Sequence, residues 1–260
     1  MGAKKRYGQH FLQGVWADKL VDAIQPSSDD RFLEIGPGPG ALTLRLAPRV
    51  AHLTAVEVDP DMVAALRPQL PANVTLVEQD FLETDLGALV GEGPVRVAGN
   101  LPYNVSSPIL FKVLDLYRTR GVVVDAIFML QREVAERIES GPGTKDYGVL
   151  SIFIQLHADV RRLLTLPPGA FRPQPKVHSA VVRLTFRPPA VAVRNERVFE
   201  RMVRSMFTQR RKTLSNALKP FAESGGRSAV GALEAAGVDP SRRPETLQLT
   251  ELARLADAFS

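Results

Sequence analysis

The sequence has no cysteine and only four histidines, His10, His52, His157 and His178. The first absence excludes a disulfide framework, a Cys-ligated zinc or iron–sulfur site and a cysteine nucleophile. No two of the histidines stand at metal-ligand spacing, so no metal centre is expected. No apolar run approaches the roughly 18 residues that a bilayer span needs. The stretch from Met1 to Gly14 is basic and polar and lacks the apolar segment of a secretory leader. These absences lead to the expectation of a soluble, cytoplasmic protein with no membrane partner.

What is present is ordinary globular material: 260 residues, 45% hydrophobic and 23% charged. That length suits one or two domains. The charge is unevenly placed. Residues 186–260 hold 13 basic and 8 acidic side chains, net +5, while residues 1–185 balance at 20 and 20. A basic appendage on a neutral body suggests a polyanionic partner, nucleic acid first.

Apolar, β-rich runs occur at Arg31–Ile35, Leu53–Val58, Val74–Glu78, Val95–Ala98 and Val122–Leu130, with helical spacing between them. This rhythm predicts βα crossovers and a parallel sheet. Val160–Leu166 and Ala180–Phe186 read as two further strands around a Pro-rich loop. Beyond Pro188–Pro189 only helical spacing remains. The expected domains are therefore residues 1–188, catalytic, and residues 189–260, small and helical.

Chemistry concentrates at the predicted strand ends. The first strand ends in Glu34-Ile35-Gly36-Pro37-Gly38-Pro39-Gly40-Ala41. Its glycines permit close approach of a ligand to the backbone, and the spacing also satisfies the dinucleotide pattern G-x-G-x-x-A. A pyrophosphate needs backbone N–H donors at the helix N-terminus, and Pro37 and Pro39 remove two of them. S-adenosylmethionine, which carries no phosphate, fits this loop better than NAD does. Glu57 stands 21 residues after Gly36 at the end of the second strand, placed to accept both ribose hydroxyls. Asp59, before Pro60, reads as a helix cap. Asp80 and Phe81, after the third strand, suit an adenine amino group and ring.

The fourth strand ends in Asn100-Leu101-Pro102-Tyr103. The exocyclic nitrogen of adenine is a poor nucleophile, because its lone pair is delocalised into the ring. A catalyst must draw its two N–H groups into hydrogen bonds. Asn100 supplies a side-chain acceptor, and the Leu101 carbonyl, held extended by Pro102, a second. Tyr103 offers a face for base stacking, worth ~1–3 kcal/mol.

With these residues stand Gly8-Gln9-His10-Phe11-Leu12, the continuation Asn104-Val105-Ser106-Ser107-Pro108, the segment Phe171–Ala180, and Phe207-Thr208-Gln209-Arg210-Arg211-Lys212. Spread along the chain in this order, they resemble the ribosomal RNA adenine N6-dimethyltransferase family, and within it the small-subunit rather than the macrolide-resistance, large-subunit branch. The resemblance implies a class I S-adenosylmethionine-dependent methyltransferase fold, Rossmann-like, with a seven-stranded sheet whose last strand is antiparallel, plus a C-terminal helical RNA-binding domain. It implies cofactor contacts from His10, Leu12, Gly36, Gly38, Glu57, Asp80 and Asn100. His10 stands where the family usually has Asn.

The implied substrate is a pair of adjacent adenines in the hairpin loop near the 3′ end of 16S rRNA, each dimethylated at N6 in the assembling 30S subunit by a monomeric enzyme. The flipped base is expected between Tyr103 and Phe171. Lys4, Lys5 and Arg6, with Arg201, Arg204, Arg210, Arg211 and Lys212 on one predicted helix, are the expected phosphate contacts. A catalytically silent RNA-binding or assembly protein on the same fold is the alternative.

Overall fold

The computed structural model describes residues 9–260. The basic arm of Lys4, Lys5 and Arg6 lies outside them. The chain forms two compact units. The first is Met1–Ala135 with Asp159–Phe186, and the second is Glu136–Ala158 with Arg187–Ser260.

The first unit begins with β1 (Phe11–Leu12) and α1 (Gly14–Ile24). Strands and helices then alternate: β2 (Arg31–Ile35), α2 (Thr43–Leu46), β3 (His52–Glu57), α3 (Pro60–Leu66), β4 (Val74–Glu78), α4 (Leu86–Val90), β5 (Val95–Asn100), α5 (Ser106–Arg120) and β6 (Val123–Gln131). Helices α6 (Arg132–Glu139) and α7 (Val149–His157) follow, and the chain returns through β7 (Ala158–Leu166), β8 (Phe171–Arg172) and β9 (Ser179–Phe186). The main sheet has seven strands in the order β4-β3-β2-β5-β6-β9-β7. Strands β2 to β6 are parallel and β9 is antiparallel to β6. Central strands are covered on both faces, so they read as continuous apolar runs rather than alternating ones. Ala17, Leu20, Val21 and Ile24 of α1 are buried at helical spacing, in a core shared with Phe32, Leu53, Ala98, Met129 and Val181.

The chain runs from β2 outward to β3 and β4 on one side, then crosses to β5 and β6 on the other. This reversal makes a crevice outside the carboxyl ends of β2 and β5, where ligands bind in open α/β sheets. The register Ile35↔Gly99 places the glycine turn and the Asn100 tip on adjacent strands. Gly99 is required there, since a Cβ would lie 2.7 Å from the Ile35 carbonyl oxygen.

The second unit is helical: α7, then α8 (Glu196–Phe207), α9 (Leu214–Ala217), α10 (Lys219–Ser224), α11 (Ala229–Ala236) and α12 (Leu249–Asp257). Phe199, Met202, Val203 and Met206 form the buried stripe of α8. The expected division at residue 188 needs correction. The second passage of the chain into this unit does come at Arg187, but residues 136–158 belong to it as well. The reason is α7, which is apolar nearly all round and must be buried. Its Phe153 packs edge-on against Phe199 at 6.0 Å between ring centroids, and Tyr147 donates from its hydroxyl to the Leu247 carbonyl at 3.1 Å.

Candidate active site

The ends of β2, β3, β4 and β5 surround one cavity of about 340 Å³, within the size range of small-molecule sites. His10, Leu12, Gly36, Gly38, Glu57, Asp80, Asn100, Leu101, Pro102 and Tyr103, all expected from the sequence, line it together.

The glycine turn has its donors committed. Gly36 N donates to the Val56 carbonyl, Gly40 N to the Pro37 carbonyl, both at 2.9 Å, and Gly38 N to Glu57 Oε2 at 2.9 Å. Pro37 and Pro39 have no N–H to give. Through Gly40 the turn therefore holds no spare donor for a pyrophosphate, which counts against the dinucleotide alternative. Gly36 adopts φ +65° and a Cβ there would touch no protein atom within 4 Å, so its backbone angle, not packing, requires glycine.

Glu57 is buried at the end of β3. Its other oxygen, Oε1, accepts from Asp59 N at 2.9 Å. Burial pushes the Glu57 carboxyl up, and the Asp59 and Gly38 amides oppose the rise. Each oxygen keeps a second lone pair for a ligand hydroxyl. Asp59 caps α3 as expected, accepting from Asp61 N at 3.1 Å. Asp80 Oδ1 accepts from Leu82 N at 2.8 Å, which fixes the turn beside Phe81. Lys112 of α5 supports the same wall. Its ammonium donates to the Leu82 carbonyl at 2.6 Å and sits 5.9 Å from the Phe81 ring centroid.

Asn100 carries the geometry that matters most. Its Nδ2 donates to the His10 carbonyl at 2.7 Å. A carbonyl can only accept, so the amide is locked with Oδ1 as the free, acceptor end. His10 is tied in turn by its ring: Nδ1 lies 2.7 Å from the Pro173 carbonyl and must be the protonated nitrogen of that bond. His10 thus has its backbone carbonyl and its ring both engaged. The imidazole stacks on Tyr103 at 5.3 Å, and the Tyr103 hydroxyl shares a hydrogen bond with Ser179 Oγ at 2.8 Å. Burial pushes the Tyr103 phenol above its ordinary value, so the ring stays neutral.

Residues 9–13 form a strap over this region. Gln9 Nε2 reaches Asp59 Oδ2 at 3.0 Å, β1 pairs antiparallel with β8, and Gln13 N donates to the Ala170 carbonyl at 2.9 Å.

Two expectations fail here. Phe171 is 1% exposed, pairs with Leu12 in the register of β1 and β8, and belongs to the core under α1. It is a packing anchor and cannot form the second wall of a base sandwich. The basic cluster is not one helical face either. Helix α8 ends at Phe207, and Arg210, Arg211 and Lys212 follow in a turn. Arg204 is spent on Glu200 at 2.9 Å. Arg210 donates from Nε and Nη2 to Glu245 at 2.9 and 2.7 Å, and from Nη2 to the Lys145 carbonyl at 2.6 Å. Arg201, Arg211 and Lys212 are exposed. The neighbours are therefore separable. Arg210→Ala should lower the melting temperature, with a loss of about 1 kcal/mol for this half-exposed pair. Arg211→Ala should leave melting unchanged and reduce RNA affinity with a shallower salt dependence. Thermal melts and filter binding across salt check both.

Gln9 and Glu34 line the cavity and Lys112 and Ser179 support its walls, and the sequence alone assigns none of the four a role. Glu34 had a signal, a lone acid inside the apolar run Phe32-Leu33-Glu34-Ile35. Among the described residues no helix is long and apolar enough to cross a membrane, and no acidic, His or Cys cluster could hold a metal.

A reversing parallel sheet, a donor-poor glycine turn and an acid at the next strand end define a class I methyltransferase. The structure of a dimethyladenosine transferase from Plasmodium falciparum matches with a TM-score of 0.78 and 25% identity, over 95% of this chain and 96% of that one. The structure of the 23S rRNA methyltransferase ErmE matches with a TM-score of 0.68 and 26% identity, over 96% and 99%. A profile of the ribosomal RNA adenine dimethylase family matches residues 2–257. The chain is also 45% identical to the ribosomal RNA small subunit methyltransferase A of Xanthomonas oryzae pv. oryzae over 98% of its length and 95% of the relative's. Its counterpart in Syntrophotalea carbinolica is 45% identical over 97% and 95%. The chain belongs to the ribosomal RNA adenine dimethylase family.

Proposed function

We propose that this protein uses S-adenosylmethionine to dimethylate N6 of two adjacent adenines in the hairpin loop near the 3′ end of small-subunit rRNA, within the assembling 30S subunit. The observation that carries the reading is the Asn100 amide, whose nitrogen is bound to the His10 carbonyl and whose oxygen is left to accept from an amine. The cavity suits the cofactor. Its glycine turn offers bare backbone without phosphate donors, and its buried acids suit a ligand with hydroxyl and ammonium groups.

S-adenosylmethionine, when bound, supplies an electrophilic sulfonium methyl group. The chain's own residues do the rest by positioning. Glu57 accepts the ribose hydroxyls through the lone pairs that Gly38 and Asp59 leave open. Asp80 and Phe81 hold the adenine of the cofactor. Asn100 Oδ1 and the Leu101 carbonyl accept the two N–H bonds of the target amine and localise its lone pair toward the methyl group. Neutral oxygen acceptors suffice for the attack, so no group on the chain has to titrate for it, and the proton that N6 sheds after each transfer passes to solvent. Tyr103 stacks on the extruded base, and His10 covers the ring's other face. The RNA backbone is held by exposed cations of the helical unit, Arg201, Arg211 and Lys212. The same reading has a monomer acting in the cytoplasm.

Tyr103 separates stacking from hydrogen bonding. Tyr103→Phe should lose only the Ser179 contact, about 1 kcal/mol. Tyr103→Ala should raise the KM for RNA roughly 10- to 100-fold with unchanged cofactor binding. Steady-state kinetics with both variants checks this.

The deciding experiment supplies labelled S-adenosylmethionine with unmethylated small subunits, with naked 16S rRNA and with large-subunit rRNA, then maps the label. Two adjacent N6,N6-dimethyladenines near the 3′ end of 16S rRNA are expected. Label confined to large-subunit RNA, or no transfer to any RNA, overturns the assignment.

A further inference from the structure

The strap crosses the crevice rather than following one wall. Its residues Gln9, His10, Phe11 and Leu12 all line the cavity. The sheet order places β2 between β3 and β5, so a segment tied to the ends of both outer strands must pass over the end of β2. Three contacts fix that crossing. Gln9 Nε2 donates to Asp59 Oδ2 at 3.0 Å, just beyond β3. The His10 carbonyl accepts from Asn100 Nδ2 at the tip of β5. Phe11 covers the glycine turn after β2, where a Cβ on Gly38 would lie 3.2 Å from Phe11 Cε1. Neighbouring strands stand ~5 Å apart, so the crossing bridges roughly 10 Å.

The two sides of the crossing are held unequally. Towards β8 the ties are largely backbone: the β1–β8 ladder, Gln13 N on the Ala170 carbonyl, and His10 Nδ1 on the Pro173 carbonyl. Towards β3 the tie is the Gln9 side chain. Its partner is a fixed post. Asp59 is fully buried, its N donates to Glu57 Oε1 at 2.9 Å, and its Oδ1 accepts from Asp61 N at 3.1 Å. Pinning a glutamine side chain costs rotamer entropy, so the bond is modest in net terms and can open while the β8 side holds. We propose that Gln9 is a positioning residue for the cofactor: its bond to Asp59 latches the strap over the crevice beside the ribose acceptor Glu57, and it opens each time S-adenosylhomocysteine leaves and S-adenosylmethionine enters. This rests on the cofactor assignment above. Each methyl group uses a fresh cofactor molecule, so the latch works repeatedly on one RNA. Opening at Gln9 leaves His10 on Asn100, and the acceptor of the target amine keeps its orientation during exchange.

A latch has a kinetic signature that a ligand contact lacks. The Gln9–Asp59 bond joins two protein groups, so it stands in the way of entry and exit alike. Weakening it speeds both and leaves their ratio nearly unchanged, whereas loss of a contact to the ligand speeds exit alone. Rapid-mixing kinetics with S-adenosylhomocysteine, the demethylated product, measure kon and koff separately. In Gln9→Ala both should rise about tenfold, the worth of one hydrogen bond to a carboxylate, with Kd within about threefold of the native value. Gln9→Glu sets a second carboxylate against Asp59 and should raise both rates at least as far. A rise in koff alone makes Gln9 a ligand contact and overturns the latch. Unchanged rates in either variant overturn it as well. Absence of S-adenosylhomocysteine binding by the native protein overturns the cofactor assignment itself, and this inference with it.

Discussion

Replacing Asn100 with alanine should lower kcat by roughly 10²–10³, the usual cost of removing one preorganised group that acts only in the transition state. Cofactor affinity should change by less than about tenfold, a single neutral hydrogen bond's worth. The split follows from how the amide is held. Its nitrogen is occupied by the His10 carbonyl at 2.7 Å, so Oδ1 is free for the target amine. Asn100→Asp keeps an acceptor but sets a carboxylate oxygen against the His10 carbonyl, and it should fall between the native protein and Asn100→Ala. Single-turnover methylation beside equilibrium cofactor binding checks the prediction. Near-normal turnover by Asn100→Ala would remove Asn100 from the reaction.

Glu57→Ala should do damage of another kind. Two backbone donors, Gly38 N and Asp59 N, would lose a buried acceptor at once. At ~1–3 kcal/mol for each unsatisfied buried donor, the loss of stability should be about 2–6 kcal/mol. The glycine turn would also lose its tie to β3, and the cofactor its ribose acceptor, so affinity should fall by roughly 100-fold or more. Glu57→Gln keeps one acceptor oxygen and should recover part of the stability. Denaturant melts with and without S-adenosylhomocysteine separate the two losses. A ligand-induced stabilisation as large in Glu57→Ala as in the native protein would overturn the binding role.

The sheet was legible because its signals are local. Arg31–Ile35 and Val74–Glu78 have the bounds expected of them. The others shift by a residue or two where the hydrophobic run does not mark the last ladder bond. Ligand residues at strand ends could be located for the same reason, since a parallel sheet gathers those ends on one rim. What could not be read depends on partners far along the chain. β1 and β8 have two residues each, too few for a period, and exist because they pair with each other. An aromatic in a Pro-rich loop gives no sign that it will be buried, and Phe171 is buried because Leu12 lies opposite. Arg210 and Arg211 are indistinguishable neighbours until Glu245 selects one. Helix α7 reads as a continuation of the first domain, because only its contact with α8 assigns it to the second.

The place of β9 between β6 and β7 also governs when the site can be completed during synthesis. β7 leaves the translating ribosome before the strand that it must lie beside, and β6 is an open edge until Ser179–Phe186 arrives. The strap likewise waits, since Leu12 pairs with Phe171 and His10 with Pro173. A nascent chain shorter than about 170 residues would have every cofactor-facing strand end, but the segment that orients Asn100 would be held only by Gln9 on Asp59, without β8 or Pro173. Catalytic competence is thus deferred until nearly the whole sheet has been made, and an interrupted product would expose an unpaired strand edge instead of a working enzyme.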